Sequence, residues 1–145
     1  MSYQKIRGPI EKMITDALVD AGLTTDYIFY DNVQYKQPDA SKDYAVISLS
    51  FETPFVPTLM CGKDDIRGVV LVEIWTRANI GAATGESYGL EVLKKFCSQN
   101  SAQYGSGEDR IRFLGPDGPR LIAGEDAASH LAHNVSATFT GAIHT

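Results

Sequence analysis

The sequence predicts an α+β fold in which an antiparallel β-sheet carries two α-helices packed on one face, with the element order α-β-β-β-α-β-β-β. Two segments show the apolar spacing of amphipathic helices, and the others alternate as strands or are bounded by turn residues. Strands follow one another directly, whereas a doubly wound parallel sheet needs a helix between them. At 145 residues the chain has the size of one domain, which we expect to span residues 1–145.

The first helix is predicted over residues 9–21 and the second over residues 84–98. Pro9 suits the first turn of a helix, and Gly22 suits the position just past its end. An earlier start is the alternative, but it would place Pro9 inside the helix, where it removes a hydrogen bond. On the second helix we expect four residues to be buried: Leu90, Leu93, Phe96 and Cys97.

The strands are predicted over residues 27–30, 44–51, 69–75, 111–114, 120–123 and 131–139. Residues 69–75 are apolar on both faces, which indicates a central strand covered by helices on one side and by something further on the other. The GPDGP segment predicts a tight turn that joins the next two short strands into a hairpin. The last strand alternates, with His133 on the side expected to be buried.

A glycine-rich segment lies between the central strand and the second helix, and it could indicate a nucleotide site. A phosphate loop needs a glycine, four residues and then Gly-Lys-Ser/Thr, so that amides and a lysine contact the phosphates. Here Gly81 and Gly85 have three residues between them, and Glu86 takes the place of the lysine. A carboxylate there repels phosphate. We therefore interpret Gly81, Gly85 and Gly89 as turn and close-packing positions.

The sequence predicts no catalytic, metal or cofactor site. His130 and His133 are three residues apart in a predicted strand, so they point to opposite faces and are poorly placed to share a metal. Cys61 and Cys97 lack ligand spacing and are interpreted as reduced thiols, with a disulfide or a reactive thiol as the alternative. A small enzyme of unknown reaction is the less favoured interpretation.

Charge and hydropathy bear on the class of partner. The formal net charge is −5 and the pI is about 5.1, which argues against non-specific nucleic-acid binding, because such binding needs clustered Lys and Arg. No segment approaches the length of about 20 apolar residues that a membrane-spanning helix needs. We expect neither sequence-specific nucleic acid nor a membrane as a partner.

The loop between the second and third predicted strands is unusually apolar for a proline-punctuated segment. Loops run on the surface, and grouped large apolar residues there indicate an interaction site. The alternative is that some of them fold back onto the sheet. The predicted protein–protein interface consists of Phe55, Val56, Leu59 and Met60.

A second surface is predicted on the sheet itself. Trp75 shares a face with Val69 and Leu71, opposite the face that the helices are expected to cover. If both helices lie on one side, this apolar face needs a partner. Two such surfaces on one chain are typical of a ring subunit, since a closed ring uses two different patches per subunit.

The order of these segments resembles that of the tail-terminator-like proteins of tailed bacteriophages, which are similar in architecture to the terminator of the lambda tail. The resemblance lies in a helix ending at Gly22, the segments YDNVQY and YAVISLSFE, the pair Arg67-Gly68 before VVLVEIW, a Gly/Ala-rich bend and a helix ending in a Phe. It covers about residues 5–140. Its scattered matching residues are Asn32, Arg67, Gly68, Gly81 and Phe96.

The resemblance implies a structural virion protein without catalytic residues or cofactor. Such a protein forms a ring, usually a hexamer, on the tail tube, ends tail polymerisation and offers the head–tail joining surface. The implied partners are the tail tube protein, a head–tail connector or completion protein, and further copies of the chain. The implied location is the virion tail, after synthesis in the bacterial host cytoplasm. A non-enzymatic adaptor or head–tail completion subunit is the alternative.

Overall fold

The computed structural model describes residues 4–31, 33, 34, 36, 38, 42–52, 63–77, 83–97, 111–122 and 130–144. Two helices and five strands follow one another as α1 Gln4–Asp20, β1 Ile28–Tyr30, β2 Tyr44–Phe51, β3 Lys63–Arg77, α2 Ala83–Cys97, β4 Arg112–Ile122 and β5 His130–His144. A single 3₁₀ turn, Thr25–Tyr27, precedes β1. The predicted α+β class is confirmed, and so is the element order as far as the second helix.

The five strands form one sheet in the order β1-β2-β3-β5-β4. β2, β3, β5 and β4 pair antiparallel, but β1 pairs parallel to β2, so the sheet is mixed and the prediction of a purely antiparallel sheet is wrong at this edge. Residues 31–43 separate the two parallel strands. A connection of that length can return the chain to the starting end, which a two-residue hairpin cannot do.

The first helix begins earlier than predicted, and Pro9 lies inside it. Ile6, in the turn before the proline, is fully buried, and this burial favours the longer helix despite the hydrogen bond that Pro9 removes. Arg7 also fixes this turn, because its Nη1 lies 2.6 Å from Oδ1 of Asp31 and 3.4 Å from Oε1 of Glu11.

The predicted end of this helix is confirmed. Gly22 has φ +115°, in the left-handed region that favours glycine. Its N–H donates to the carbonyl of Val19 at 3.0 Å, and the N–H of Leu23 donates to the carbonyl of Leu18 at 3.0 Å. These two bonds form a Schellman motif, which satisfies carbonyls that the helix end would otherwise leave without partners.

Both helices pack on one face of the sheet, which we call the inner face. Paired residues project to the same side, and the register places Ala45 opposite Ile74 and Ile47 opposite Val72. All four side chains are buried there, as the alternation predicts. The same core takes in the helices through Ile6, Ile10, Ile14, Leu18, Val92 and Phe96.

The second helix is rotated relative to the prediction. Leu90 is 47% exposed and Cys97 is exposed, so their predicted burial is wrong; Phe96 is buried, and Leu93 is partly buried against the core. The buried residues are Gly85, Gly89, Val92 and Phe96. The prediction followed the spacing of the apolar residues, whereas the helix approaches the sheet closely through its two glycines.

The predicted GPDGP hairpin is wrong. Residues 112–122 form one strand, β4, which pairs with β5 along its length. Its register shifts between Leu114 and Asp117 and again between Asp117 and Arg120, so β4 bulges twice where the glycines and prolines lie. Proline and bulges are tolerated on an edge strand, which is the place that β4 takes in the sheet.

Candidate interaction surface

The face of the sheet opposite both helices, which we call the outer face, is crossed by rows of paired residues. One row runs Ser50, Val69, Thr138 and Leu114, and another runs Tyr44, Trp75, Ala132 and Ile122. Trp75, Val69 and Leu71 therefore share this face, as the alternation of the central strand predicts.

Apolar side chains on the outer face are open to solvent. Val69, at the centre of the sheet, is 42% exposed, Leu114 on the edge strand is 54% exposed and Ile122 is 39% exposed. Val69 and Leu114 flank the exposed Thr138, so this row alternates apolar and polar side chains. A central β-strand residue with this exposure is a candidate contact for another surface.

One end of the outer face is closed by an aromatic cluster. The rings of Tyr44 and Trp75 are stacked, with centroids 5.9 Å apart and planes 7° apart, and His130 meets Tyr44 edge-on at 5.0 Å. Phe29 also contacts Tyr44 edge-on at 6.1 Å. Tyr44 is 4% exposed and His130 is 1% exposed, so the cluster forms a second small core at this end of the sheet.

Charged residues lie both at the ends of the outer face and between these rows. Arg77 donates its backbone N–H to Asp43 at 2.9 Å, with its Nε 3.4 Å from the same carboxylate oxygen. Arg67 and Arg112 are exposed on either side of Thr140, one row beyond Val69. A further row, Glu73, Asn134 and Arg120, lies between the two rows described above, so the outer face mixes apolar and charged side chains. A non-obligate protein–protein interface is about as apolar as the rest of the protein surface.

The inner face contains a different kind of site. His133 is fully buried, and a Cβ added to Gly85 of α2 would overlap its Nδ1 and lie 2.6 Å from its Cε1. Burial lowers the pKa of His133 below its ordinary value, although the nearby Glu86 acts in the opposite direction. Gly85 is thus a packing position, as predicted.

The two histidines of β5 do not meet. His130 lies in the outer-face cluster, with Nε2 2.8 Å from the carbonyl oxygen of Lys42, while His133 lies on the inner face. This confirms that the pair points to opposite sides of the strand. Among the residues that the structure describes, no group of three or more His, Cys, Asp or Glu side chains could hold a metal ion.

The apolar loop predicted as an interface falls outside the described part of the chain. Phe55, Val56, Leu59 and Met60 all lie in the range 53–62, and Cys61 lies there with them. Their role stays a prediction. The structure therefore brings together the sheet-face residues Val69, Leu71 and Trp75, and leaves their relation to the loop open.

Two features of this surface were missed in the sequence. The edge strand supplies Leu114 and Ile122 to the outer face, and no periodicity revealed this because the two bulges break the alternation. The cluster around Tyr44 was also missed. Its signal was present, since Tyr44 and Trp75 both point to the outer face of two strands that follow one another along the chain and pair in the sheet.

Comparisons with known proteins bear on the fold. No protein-family model matches the chain, and no curated protein matches it. Eighteen chains of solved structures match, and one of them superposes with a TM-score of 0.73 at 17% identity, covering 97% of this chain and 96% of its own. At that identity the likeness shows a shared fold. Within the described residues, neither helix is long and apolar enough to cross a membrane.

Proposed function

We propose that this protein is a structural subunit of a phage tail, which assembles as a ring on the tail tube, ends its polymerisation and forms the joining surface for the head. It acts by steric and interfacial contact, and we assign no catalytic residue and no cofactor to it. Its partners are the tail tube protein, a connector or completion protein of the head–tail joint, and neighbouring copies of itself.

The observation that supports this proposal is the exposure of two apolar side chains, Val69 and Leu114, on the outer face. Both helices cover the inner face, and within the described ranges no helix covers the second face, where Val69 is 42% exposed. At one end of this face Trp75 is stacked on the buried Tyr44, and a side chain that is already held in place loses little conformational freedom on binding. The α+β fold agrees with the architecture that the sequence resemblance implies.

The proposal is tested by measuring assembly with purified protein. Native mass spectrometry over a range of concentrations, with and without tube protein, should show a closed ring of defined copy number that forms or strengthens on the tube. A chain that stays monomeric in both conditions and shows no binding to the tube would contradict the proposal. A single copy bound to the tube or the connector would instead support an adaptor or completion subunit.

Two valines give a matched pair for locating the contact. Val69 on the outer face and Val19 on α1 are 42% and 40% exposed, respectively. An arginine at either position should therefore be exposed to a similar extent in the free subunit. Val69→Arg should weaken ring formation at least about tenfold if it disrupts a buried contact. Val19→Arg should leave assembly unchanged. Equal effects of the two substitutions would remove the outer face from the interface.

A further inference from the structure

One buried polar side chain has no hydrogen-bonding partner on the described part of the chain. Both ring nitrogens of His133 lie in the protein interior without a protein donor or acceptor. Its neighbours across the sheet are Ile74 on β3 and Leu121 on β4, and Gly85 of α2 lies against its ring. A neutral imidazole is tolerated in such a place, but a charged one would lose its hydration without a compensating bond.

Among the described residues, Glu86 is the charged group that acts on the protonation of this ring. Glu86, the residue after Gly85 in the first turn of α2, favours the protonated ring, but the effect of burial is larger. The strand residues paired with His133 are apolar. Glu73 and Arg120 pair with Asn134, the next residue of β5, and so project to the outer face.

We propose that His133 makes the docking of α2 on the sheet sensitive to acid, because uptake of a proton by its ring forces the first turn of the helix away from β5. A charged ring needs water or a carboxylate, and the close contact with Gly85 admits neither. Movement of the first turn would hydrate the ring and let Glu86 approach it. The strand pairing of the sheet does not depend on this movement.

The direction of the pH dependence follows from the burial. In the folded protein the His133 ring binds a proton less readily than in the unfolded chain. The stability that depends on the neutral ring is therefore fully present above pH 6.5, the ordinary pKa of histidine, and decreases as the pH falls below that value. We call the state in which the first turn of α2 has moved away from β5 the open state. If the ring binds a proton only in the open state, the equilibrium constant for opening rises by about tenfold for each pH unit below that pKa.

The test uses the unmodified protein and two measurements. Side-chain NMR signals of His133 should remain those of a neutral ring from about pH 7.5 to about pH 5.5, where an ordinary histidine becomes charged. Over the same range, hydrogen exchange of α2 amides, corrected for intrinsic rates, should accelerate about tenfold relative to β2. A ring that titrates normally, or α2 amides whose relative protection does not change, would overturn the inference.

A matched pair of variants tests whether the effect comes from this residue. His133→Leu should abolish the acid-dependent exchange of α2. His130→Leu removes the other buried histidine of β5, whose Nε2 lies 2.8 Å from the Lys42 carbonyl oxygen, and should leave that acid dependence intact. Persistence of the acid effect in His133→Leu would contradict the proposal. If that variant fails to fold, the two measurements on the unmodified protein still decide.

Discussion

At the scale of single residues, three glycines mark the points of closest approach in the core. Gly68 lies between Phe51 and Phe139 on neighbouring strands, and their rings meet edge-on with centroids 5.5 Å apart. Gly85 leaves room for the His133 ring, and a Cβ added to Gly89 would lie 2.9 Å from Cγ of Pro119. At each of these positions the Cβ atom of a larger residue would overlap neighbouring atoms, which explains the glycine.

Gly85→Ala tests this packing. In a helix position with free space, alanine in place of glycine stabilises by about 0.5–1 kcal/mol. Here the new Cβ would overlap the His133 ring, so we expect the free energy of unfolding to fall by about 1–3 kcal/mol. Urea denaturation measures the change.

The control for this prediction is a double-mutant cycle. His133→Ala removes the ring that the new Cβ would meet, so the cost of Gly85→Ala should shrink by at least about 0.5 kcal/mol in that background. Strictly additive effects would show that the contact between α2 and His133 is not the cause.

At the scale of elements, α2 shows how a helix can dock through small residues. Its two buried glycines bring the backbone close to β5 and β4, and the larger Val92 and Phe96 complete the contact further along. Phe96 packs against Phe113 of β4, with ring centroids 4.9 Å apart. The opposite side of the helix carries an ion pair between Glu91 and Lys94, with Nζ and Oε1 3.1 Å apart.

The orientation of α2 predicts a contrast between two apolar residues. Phe96→Ala should lower the free energy of unfolding by about 3–5 kcal/mol, because Phe96 is buried in the core. Leu90→Ala should change it by less than about 1 kcal/mol, because Leu90 is 47% exposed. Thermal or urea denaturation compares them, and similar losses would mean that the helix faces the sheet differently.

The edge strand β4 illustrates how a sheet can end without attracting another strand. Two register shifts and two prolines, Pro116 and Pro119, interrupt the regular series of backbone N–H donors along this edge strand. Leu114 and Ile122 nevertheless project to the outer face. We therefore expect another copy to contact this edge through side chains rather than by extending the sheet.

At the scale of the whole molecule, the two faces of the sheet differ in what they contact. The inner face joins both helices into one core, and the outer face presents the exposed Val69 and Leu114 with an aromatic cluster at one end. A subunit built in this way can fold by itself and still offer a surface for assembly. That division is the physical basis of the ring proposed above.

The apolar loop gives a prediction at this scale. Replacing Phe55, Val56, Leu59 and Met60 together by serine should leave the subunit folded and weaken assembly, because exposed anchors stabilise an interface more than the monomer. Loss of a single hot-spot residue costs about 2 kcal/mol of binding. Circular dichroism and native mass spectrometry separate the two effects. A collapse of thermal stability would assign these residues to the core.

The net charge gives a prediction about nucleic acid. If the genome passes through the ring, a neutral or acidic lining would let DNA slide, whereas clustered basic residues would retain its phosphates. With a net charge of −5, we expect no binding of duplex DNA at low salt. A salt-sensitive gel shift at micromolar protein would count against a channel and favour a nucleic-acid-binding role.

The sequence by itself determined the fold class and the faces of the strands. Alternation in residues 69–75 assigned the inner and outer sides of the central strand correctly, because side-chain direction along a strand depends on local geometry alone. Gly22 marked the end of α1 for the same reason, since a left-handed position is a local requirement.

Only the tertiary structure decided the features that depend on contacts distant in sequence. Burial of Ile6 and the Arg7–Asp31 ion pair stabilise a turn of α1 that precedes Pro9. Residues 112–122 form one bulged strand because they pair with β5. The orientation of α2 follows from the close packing of its glycines against the sheet. The outer face likewise arises from pairing between β3, β5 and β4. Local propensity is weak beside such packing, because burial of several side chains outweighs one lost hydrogen bond or one unfavourable turn.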